Sequence, residues 1–476
     1  MHRHIPVLML CFLAIGWSVL SGCSKPSGNT DSQPNPNLSI RGKWEGTLTV
    51  QPTTALTLMF SIQETDNGYS STLSVSEQGV KNLAVASTTL DSTGLVTLSI
   101  KQLGASFTGK IDLSASPVVI IGEFKQSGAT FPLTLSKVED KPWQPTRPQD
   151  PVPPFPYVSE EVHFTQEPQG FTLAGTLTRP FEPGQYPAVV LVSGSGSQNR
   201  DEEILGHRPF LVLADTLTRA GIVVLRYDDR GFASSQGDAS QATTLDLAKD
   251  AQSAFNYLGT LDCVDQHRKG ILGHSEGGLI APILAQQGKD VAFIVLMAAP
   301  GTAGETVLID QSAAILQSQG APDAYVAQIR DMNRAIYELA GDPTIDTEDK
   351  SEKIQEMLMS LGMDSASAQS QIDALLTPWF QMFLRLDPAD YLREVDIPVL
   401  VLNGTKDTQI SSSRQVPAIE TALLQAGNQQ TTTIVYEGLN HLFQPAQTGS
   451  PDEYGNITTT IDPQVLTDIR AWILQR

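Results

Sequence analysis

From residue 188 onward, short apolar runs alternate with longer stretches of helical periodicity, and few folds accept that pattern. The runs at 188–192, 222–227, 270–273 and 292–298 carry almost no polar residue, as strands buried on both faces require. Between them lie segments of helical length. Residues 245–258, for example, place apolar side chains at 247, 251, 254, 255 and 258, one face of a helix. Strands joined by helical crossovers imply a mostly parallel sheet with helices on both faces, an α/β class. Residues 162–164 and 171–178 predict an opening hairpin, and helices are expected over 209–220 and 275–287. After Pro300 the alternation stops for about 90 residues of helical, turn-broken sequence, and resumes at 398–403, 415–426, 431–436 and a final helix near 463–474. The interruption, about 301–392, predicts a helical cap inserted into an α/β domain that spans 158–476.

The rest of the 476-residue chain divides by texture. Alternating runs such as 43–50 and 56–62, punctuated by turn residues, predict a small all-β sandwich or barrel over 39–140. It holds no catalytic constellation and suits a spacer or a substrate- or wall-binding module. Seven prolines between Pro142 and Pro156 predict a semi-rigid, extended linker over 141–157. Residues 1–22 have the makings of an export signal, with Arg3 and then an apolar run from Leu8 to Leu20 that is too short to span a membrane comfortably. The run ends in Leu20-Ser21-Gly22-Cys23, which resembles the bacterial lipobox, and that resemblance implies diacylglycerol on Cys23. Ser24, by resemblance to lipoprotein sorting rules, favours the outer membrane of the cell envelope. Residues 24–38 are rich in Ser, Pro, Asn and Gly, so 23–38 is expected to be a disordered tether. Of three cysteines, export and acylation would leave only Cys263, too few for an internal disulfide or a multi-cysteine zinc site. The formal charge of −21 argues against a nucleic-acid partner, since no excess of Lys and Arg is present to neutralise phosphates.

Chemistry concentrates in Gly273-His274-Ser275-Glu276-Gly277, placed between a predicted strand and a predicted helix. This is the context of a nucleophile elbow, in which flanking glycines let the chain turn sharply and expose a serine hydroxyl. A serine needs a base, and in this arrangement the acid and then the histidine follow it in the chain. Beyond Ser275 the sequence has one histidine, His441, in a Gly-containing loop after the strand ending at Tyr436. Asp407 stands after the strand 398–403, where a carboxylate can hold the imidazole tautomer; Asp396 precedes that strand and belongs to its wrong end. For the oxyanion hole, one donor is the amide of Glu276, and the second is expected from the Gly/Ser-rich loop after Val192, with Ser195 first and Gly194 as the fallback. Trp379, Phe380 and Phe383 are candidates for an acyl pocket, although aromatics at helical spacing also build ordinary cores. Arg200, Asp201, Asp228 and Arg230 suit structural ion pairs better than substrate contacts. No metal site is expected.

These motifs carry a resemblance over roughly the last two thirds of the chain. Gly194 to Glu202 is similar to the G-S-G-x-x-x-R-D-E loop of bacterial α/β-hydrolase esterases, followed by Asp228-Asp229-Arg230-Gly231 and by G-H-S-x-G-G at Gly273 to Gly278. The resemblance implies a carboxylesterase-like serine esterase in lipoprotein form, acting on a small-molecule ester without metal or organic cofactor. Ser193 departs from it, standing where many relatives carry His before the glycine. A peptidase, amidase or thioesterase could use the same triad, and a non-catalytic envelope-binding lipoprotein is the reading of another class. Oligomeric state is not encoded in any feature of the sequence.

Overall fold

The structure is a computed structural model that describes residues 39–476 apart from 52–53, 66–67, 76–79, 127–128, 139–146 and 289. The export signal, the lipid-bearing Cys23 and the tether expected from the sequence lie outside the described residues. Residues 42–138 form nine strands: β1 (Gly42–Gln51), β2 (Thr54–Thr65), β3 (Gly68–Val75), β4 (Val80–Ala84), β5 (Ser87–Leu90), β6 (Leu95–Ile100), β7 (Ala105–Asp112), β8 (Val119–Gln126) and β9 (Ala129–Val138). They pair antiparallel in the order β2-β1-β9-β8-β7-β6-β5-β3-β4, and β2 also pairs with β3, which closes the sheet into a barrel with β4 attached at its side. Closure removes the open edges that would invite aggregation. The alternation read in the sequence supplies the interior, as in β6, where Val96, Leu98 and Ile100 point in and are fully buried. Trp44, Phe60 and Phe107 fill the centre, and the Trp44 indole donates to the Ile40 carbonyl at 2.7 Å, so its polar atom is satisfied inside the barrel.

The second sheet consists of β10 (Val158–Thr165), β11 (Thr172–Arg179), β12 (Tyr186–Val192), β13 (Val223–Tyr227), β14 (Val264–His274), β15 (Phe293–Met297), β16 (Val399–Gly404) and β17 (Thr431–Tyr436). Its order is β10-β11-β13-β12-β14-β15-β16-β17; β11 is antiparallel to both of its neighbours, and the six strands from β13 to β17 run parallel. The period-two geometry of β12 divides its side chains between two cores. Ala188, Val190 and Val192 face the helices α2 (Thr244–Leu258), α3 (Glu276–Gln287) and α10 (Ser412–Gln425), whereas Val189 and Leu191 face α1 (Pro209–Arg219) and α11 (Pro463–Ile473).

Between β15 and β16 six helices form the cap: α4 (Gly304–Ser318), α5 (Asp323–Gly341), α6 (Thr347–Ser360), α7 (Ser365–Leu375), α8 (Pro378–Arg385) and α9 (Ala389–Leu392). The cap has its own core, in which Ile336, Tyr337, Ile354, Leu358, Ile372 and Phe380 are buried. Asp346, Asp364 and Thr377 cap α6, α7 and α8 by accepting first-turn amides, which explains how a stretch without strands breaks into discrete helices.

The described part of the proline-rich segment, 147–157, is not a free-standing spacer. The Arg147 guanidinium is buried and donates to the carbonyls of Ile457 (2.6 Å), Leu205 (2.8 Å) and Gly455 (3.0 Å). Gln149 bridges residues 460 and 461, Arg208 pairs with Asp150 at 2.6 Å, and Tyr157 donates to Asp215 at 2.8 Å. Prolines remove the backbone donors of this strap, so side chains supply the polar contacts that fasten it. No helix among the described residues is long and apolar enough to cross a membrane.

Candidate active site

All three triad candidates follow the carboxyl ends of parallel strands, the edge at which open α/β sheets place their sites. Ser275 directly follows β14, Asp407 comes three residues after β16 and His441 five residues after β17. Register brings these ends together, since Val192 lies opposite Gly273 and Gly404 opposite Tyr436.

Ser275 has φ 54° and ψ −117°, a conformation that a side chain adopts only under constraint. The glycines around it permit the constraint. A Cβ on Gly273 would stand 2.0 Å from the Gly277 carbonyl oxygen, and one on Gly277 would stand 2.1 Å from that of Val192. The Ser275 amide donates to Met297 and its carbonyl accepts from Gly278, both at 2.9 Å, which locks the turn.

His441 Nδ1 lies 2.8 Å from Asp407 Oδ2, and both side chains are buried. The other carboxylate oxygen of Asp407 accepts the amides of Gln409 and Ile410, each at 2.8 Å, so the group is oriented before any substrate arrives. The loop that carries His441 is shaped by the neighbouring Asn440, fully buried, whose side-chain oxygen takes the amides of Leu442 (3.0 Å) and Gln444 (2.9 Å). In this conformation the Ser275 hydroxyl makes no hydrogen bond to the His441 ring. The two loops nevertheless meet: the ring of His274, next to Ser275 in the chain, lies 4.8 Å from that of His441, and its Nε2 is 3.0 Å from the His441 carbonyl oxygen. Catalytic hydrogen bonds are often long without substrate and tighten on binding.

The oxyanion loop separates the first candidate donor, Ser195, from the fallback, Gly194. The Gly194 amide already donates to Glu202 Oε1 at 2.8 Å, so it has no capacity left for a substrate oxygen. The Ser195 amide has no acceptor among the described residues and remains the donor available beside Glu276, a first-turn amide of α3 without an intrahelical partner. Asp229 holds the same loop from its other end, accepting the Ser193 hydroxyl (3.1 Å) and the Gln198 amide (2.7 Å); burial pushes its carboxyl up to about 8.

The aromatic trio divides. Phe380 is fully buried in the cap's own core against Tyr337, and Phe383 is buried in the core beneath the cap, so neither is shown lining an acyl pocket. Both positions of α8 point inward and pack there. Trp379 alone reaches the elbow. Its indole donates to the Glu276 carboxylate at 2.8 Å while its ring stacks on Phe383 at 5.3 Å. Glu276 Oε1 also accepts the Thr244 hydroxyl at 2.6 Å. Burial raises this carboxyl, and those two bonds partly offset the rise.

The charged clusters behave as braces. Arg200 pairs with Asp228 (2.8 Å) and Glu161 (2.6 Å), Arg226 with Asp201, and Arg230 with Asp250 (2.6 Å). Sequence reasoning missed the side chains of His274, Glu202, Glu276 and Thr244. The first and third flank the serine inside the pentapeptide itself, where attention to buried polar residues at an elbow would have found them. Among the described residues no three His, Cys, Asp or Glu side chains converge as a metal site requires.

Residues 208–444 match the family model for serine aminopeptidases of the S33 type. Among curated proteins, the chain is 27% identical over 304 residues to Esterase EstD of Thermotoga maritima, an alignment covering 64% of this chain and 66% of that protein. It is 29% identical over 183 residues to Dipeptidyl peptidase 8 of Mus musculus, covering 35% of this chain and 20% of that one. The chain therefore spans just under two thirds of the first relative and a fifth of the second. Among solved structures, an esterase of Pyrococcus furiosus superposes with TM-score 0.41 at 15% identity, covering 67% of this chain and 92% of that one. The sheet order, the strained serine between β14 and α3 and the family match over residues 208–444 agree on an α/β-hydrolase fold for the part of the chain that carries the second sheet.

Proposed function

We propose that this chain is a serine hydrolase that cleaves carboxylic esters through an acyl-enzyme. The observation that carries the reading is the buried Asp407–His441 pair at 2.8 Å beside a serine held at φ 54°. Ser275 Oγ attacks the ester carbonyl carbon as His441 takes the hydroxyl proton, and the resulting oxyanion meets the amides of Glu276 and Ser195. When the tetrahedral intermediate collapses, the bond to the alcohol oxygen breaks and His441 returns the proton to the leaving alcohol. Water then attacks the acyl-enzyme with His441 again as base, and the acid and the free serine are released.

The test is a panel of p-nitrophenyl esters of graded acyl length assayed with the wild-type chain and with Ser275→Ala as blank. Ester turnover confined to the wild type is expected, and turnover that persists in the Ala form would refute the assignment. The relation to serine aminopeptidases and to Dipeptidyl peptidase 8 keeps amide cleavage as a second reading. Matched ester and amide substrates separate the two, with the ester expected to react faster. The sequence further supports export and acylation at Cys23 in a bacterial envelope. Radiolabelled palmitate should enter the wild-type chain and not Cys23→Ala, and equal incorporation would remove the lipoprotein proposal.

A further inference from the structure

His274 and Glu202 are buried, hydrogen-bonded and outside the triad. His274 is 6% exposed and Glu202 4%. Glu202 Oε1 accepts two bonds, one from the Gly194 amide at 2.8 Å and one at 2.9 Å from His274 Nδ1. The opposite nitrogen of the same imidazole, Nε2, meets the His441 carbonyl oxygen at 3.0 Å, and the two histidine rings face each other at 4.8 Å. With a carboxylate on one side and a carbonyl on the other, both ring nitrogens have acceptors, which is the pattern of a protonated imidazole. Burial alone would lower this imidazole, but the Glu202 charge and its hydrogen bond outweigh burial and hold it above the ordinary histidine value.

The geometry joins three loops that must keep register with one another. Gly194 belongs to the oxyanion loop and passes so near the elbow that a Cβ on it would stand 3.1 Å from Ser275 Cβ. His274 belongs to the elbow, and His441 to the loop after β17. Glu202 itself sits at φ 52°, a left-handed conformation that non-glycine residues hold only where their surroundings impose it. Asn199 imposes it here: its backbone carbonyl accepts the Glu202 amide at 2.8 Å, and its side-chain oxygen takes the amides of Asp201 (3.0 Å) and Glu203 (3.2 Å). The strap reinforces the same loop through Arg147 and the Leu205 carbonyl.

We propose that Glu202 and His274 act as positioning residues for the hydrolysis, one carboxylate oxygen setting the oxyanion loop while the imidazole it holds sets the backbone of His441. Neither touches the substrate. By taking the Gly194 amide, Glu202 leaves the next amide, Ser195, as the one presented to the oxyanion. By bonding the His441 carbonyl, His274 fixes the base relative to Ser275. Loss of the pair therefore loosens the oxyanion donor and the base together, which lowers kcat and leaves substrate binding, made by other groups, nearly unchanged.

The inference rests on Ser275 being the nucleophile, so the experiment begins with wild-type ester turnover and titration of the reactive serine by a fluorophosphonate. Glu202→Ala and Glu202→Gln are then compared with wild type as kcat per titrated serine, with KM alongside. Glu202→Ala is expected to lose kcat on the order of 10²-fold, near the low end for losing an oxyanion donor, with KM within about threefold. Glu202→Gln keeps an oxygen for both contacts and is expected to recover most of that loss. Equal kcat in all three forms overturns the proposal, and so does an equal loss in both variants, because the contact and not the charge is what the proposal invokes. Should the Ala form not fold, His274→Asn reads the pair from its other end. A similar kcat loss supports the proposal, and wild-type kcat overturns it. Wild-type protein without a titratable Ser275 would instead sink the catalytic reading beneath it, a result distinct from an active enzyme indifferent to these substitutions.

Discussion

Replacing Asp407 by Asn keeps the size of the side chain at its 2.8 Å contact with His441 but removes the charge and can reverse the tautomer of the ring. The expected result is a loss of about 10⁴ in kcat with an unchanged fold, checked by steady-state kinetics beside circular dichroism. His207 tests the protein through stability. Its ring is fully buried between Thr460 and the Tyr454 carbonyl, and burial followed by the Arg147 charge pushes it down to about 4. A histidine lowered in the folded state is neutral there while the unfolded chain takes up protons, so stability is intact above about pH 6.5 and declines as pH falls toward 4. The contribution is about 3 kcal/mol at most, and urea midpoints between pH 7 and pH 4.5 should fall less in His207→Asn than in wild type. At this scale the pairing of Asp407 with His441 was legible, because one histidine follows Ser275 and the strand ends limit where an acid can stand. The division of labour between Gly194 and Ser195 was not, since it depends on Glu202 folding back from eight residues away.

The cap shows what helical periodicity can and cannot encode. Spacing in α8 marks Trp379, Phe380 and Phe383 as one aromatic group, but only the neighbours in three dimensions reveal that Phe380 faces Tyr337 while Trp379 faces Glu276. Phe380→Ala should therefore cost about 3–5 kcal/mol of cap stability and leave the order of preference among acyl lengths unchanged, as chemical denaturation and the ester panel would report. Trp379→Phe keeps an aromatic ring for Phe383 and loses the bond to a buried carboxylate. About 1–2 kcal/mol of stability and a measurable part of kcat/KM should go with it, through the elbow that Glu276 begins. The sheet was easier to read than the cap. Runs such as 188–192 are apolar on both faces and have no other stable home, and both of the cores flanking β12 follow from that pattern.

Across the whole molecule, composition separated an all-β segment from an α/β segment without difficulty, but it could not show that β2 pairs with β3 to close the barrel or that the proline-rich strap is fastened down. Proline content predicts an extended backbone and is silent on what that backbone touches. A fragment beginning at residue 158 lacks the Arg147, Gln149 and Asp150 contacts and should unfold roughly 2–5 kcal/mol more easily than one beginning at residue 147, read from urea midpoints. The same truncation frees the Leu205 carbonyl in the loop that carries Glu202, so the shorter fragment should also turn over more slowly. The most direct measurement is mass spectrometry of the full chain after reaction with a fluorophosphonate, in wild type and in His441→Gln. The account predicts a single phosphonyl adduct on Ser275 that forms quickly in the wild type and at least a thousandfold more slowly without the imidazole. An adduct on another residue, or equal labelling of Ser275 in both forms, would contradict it.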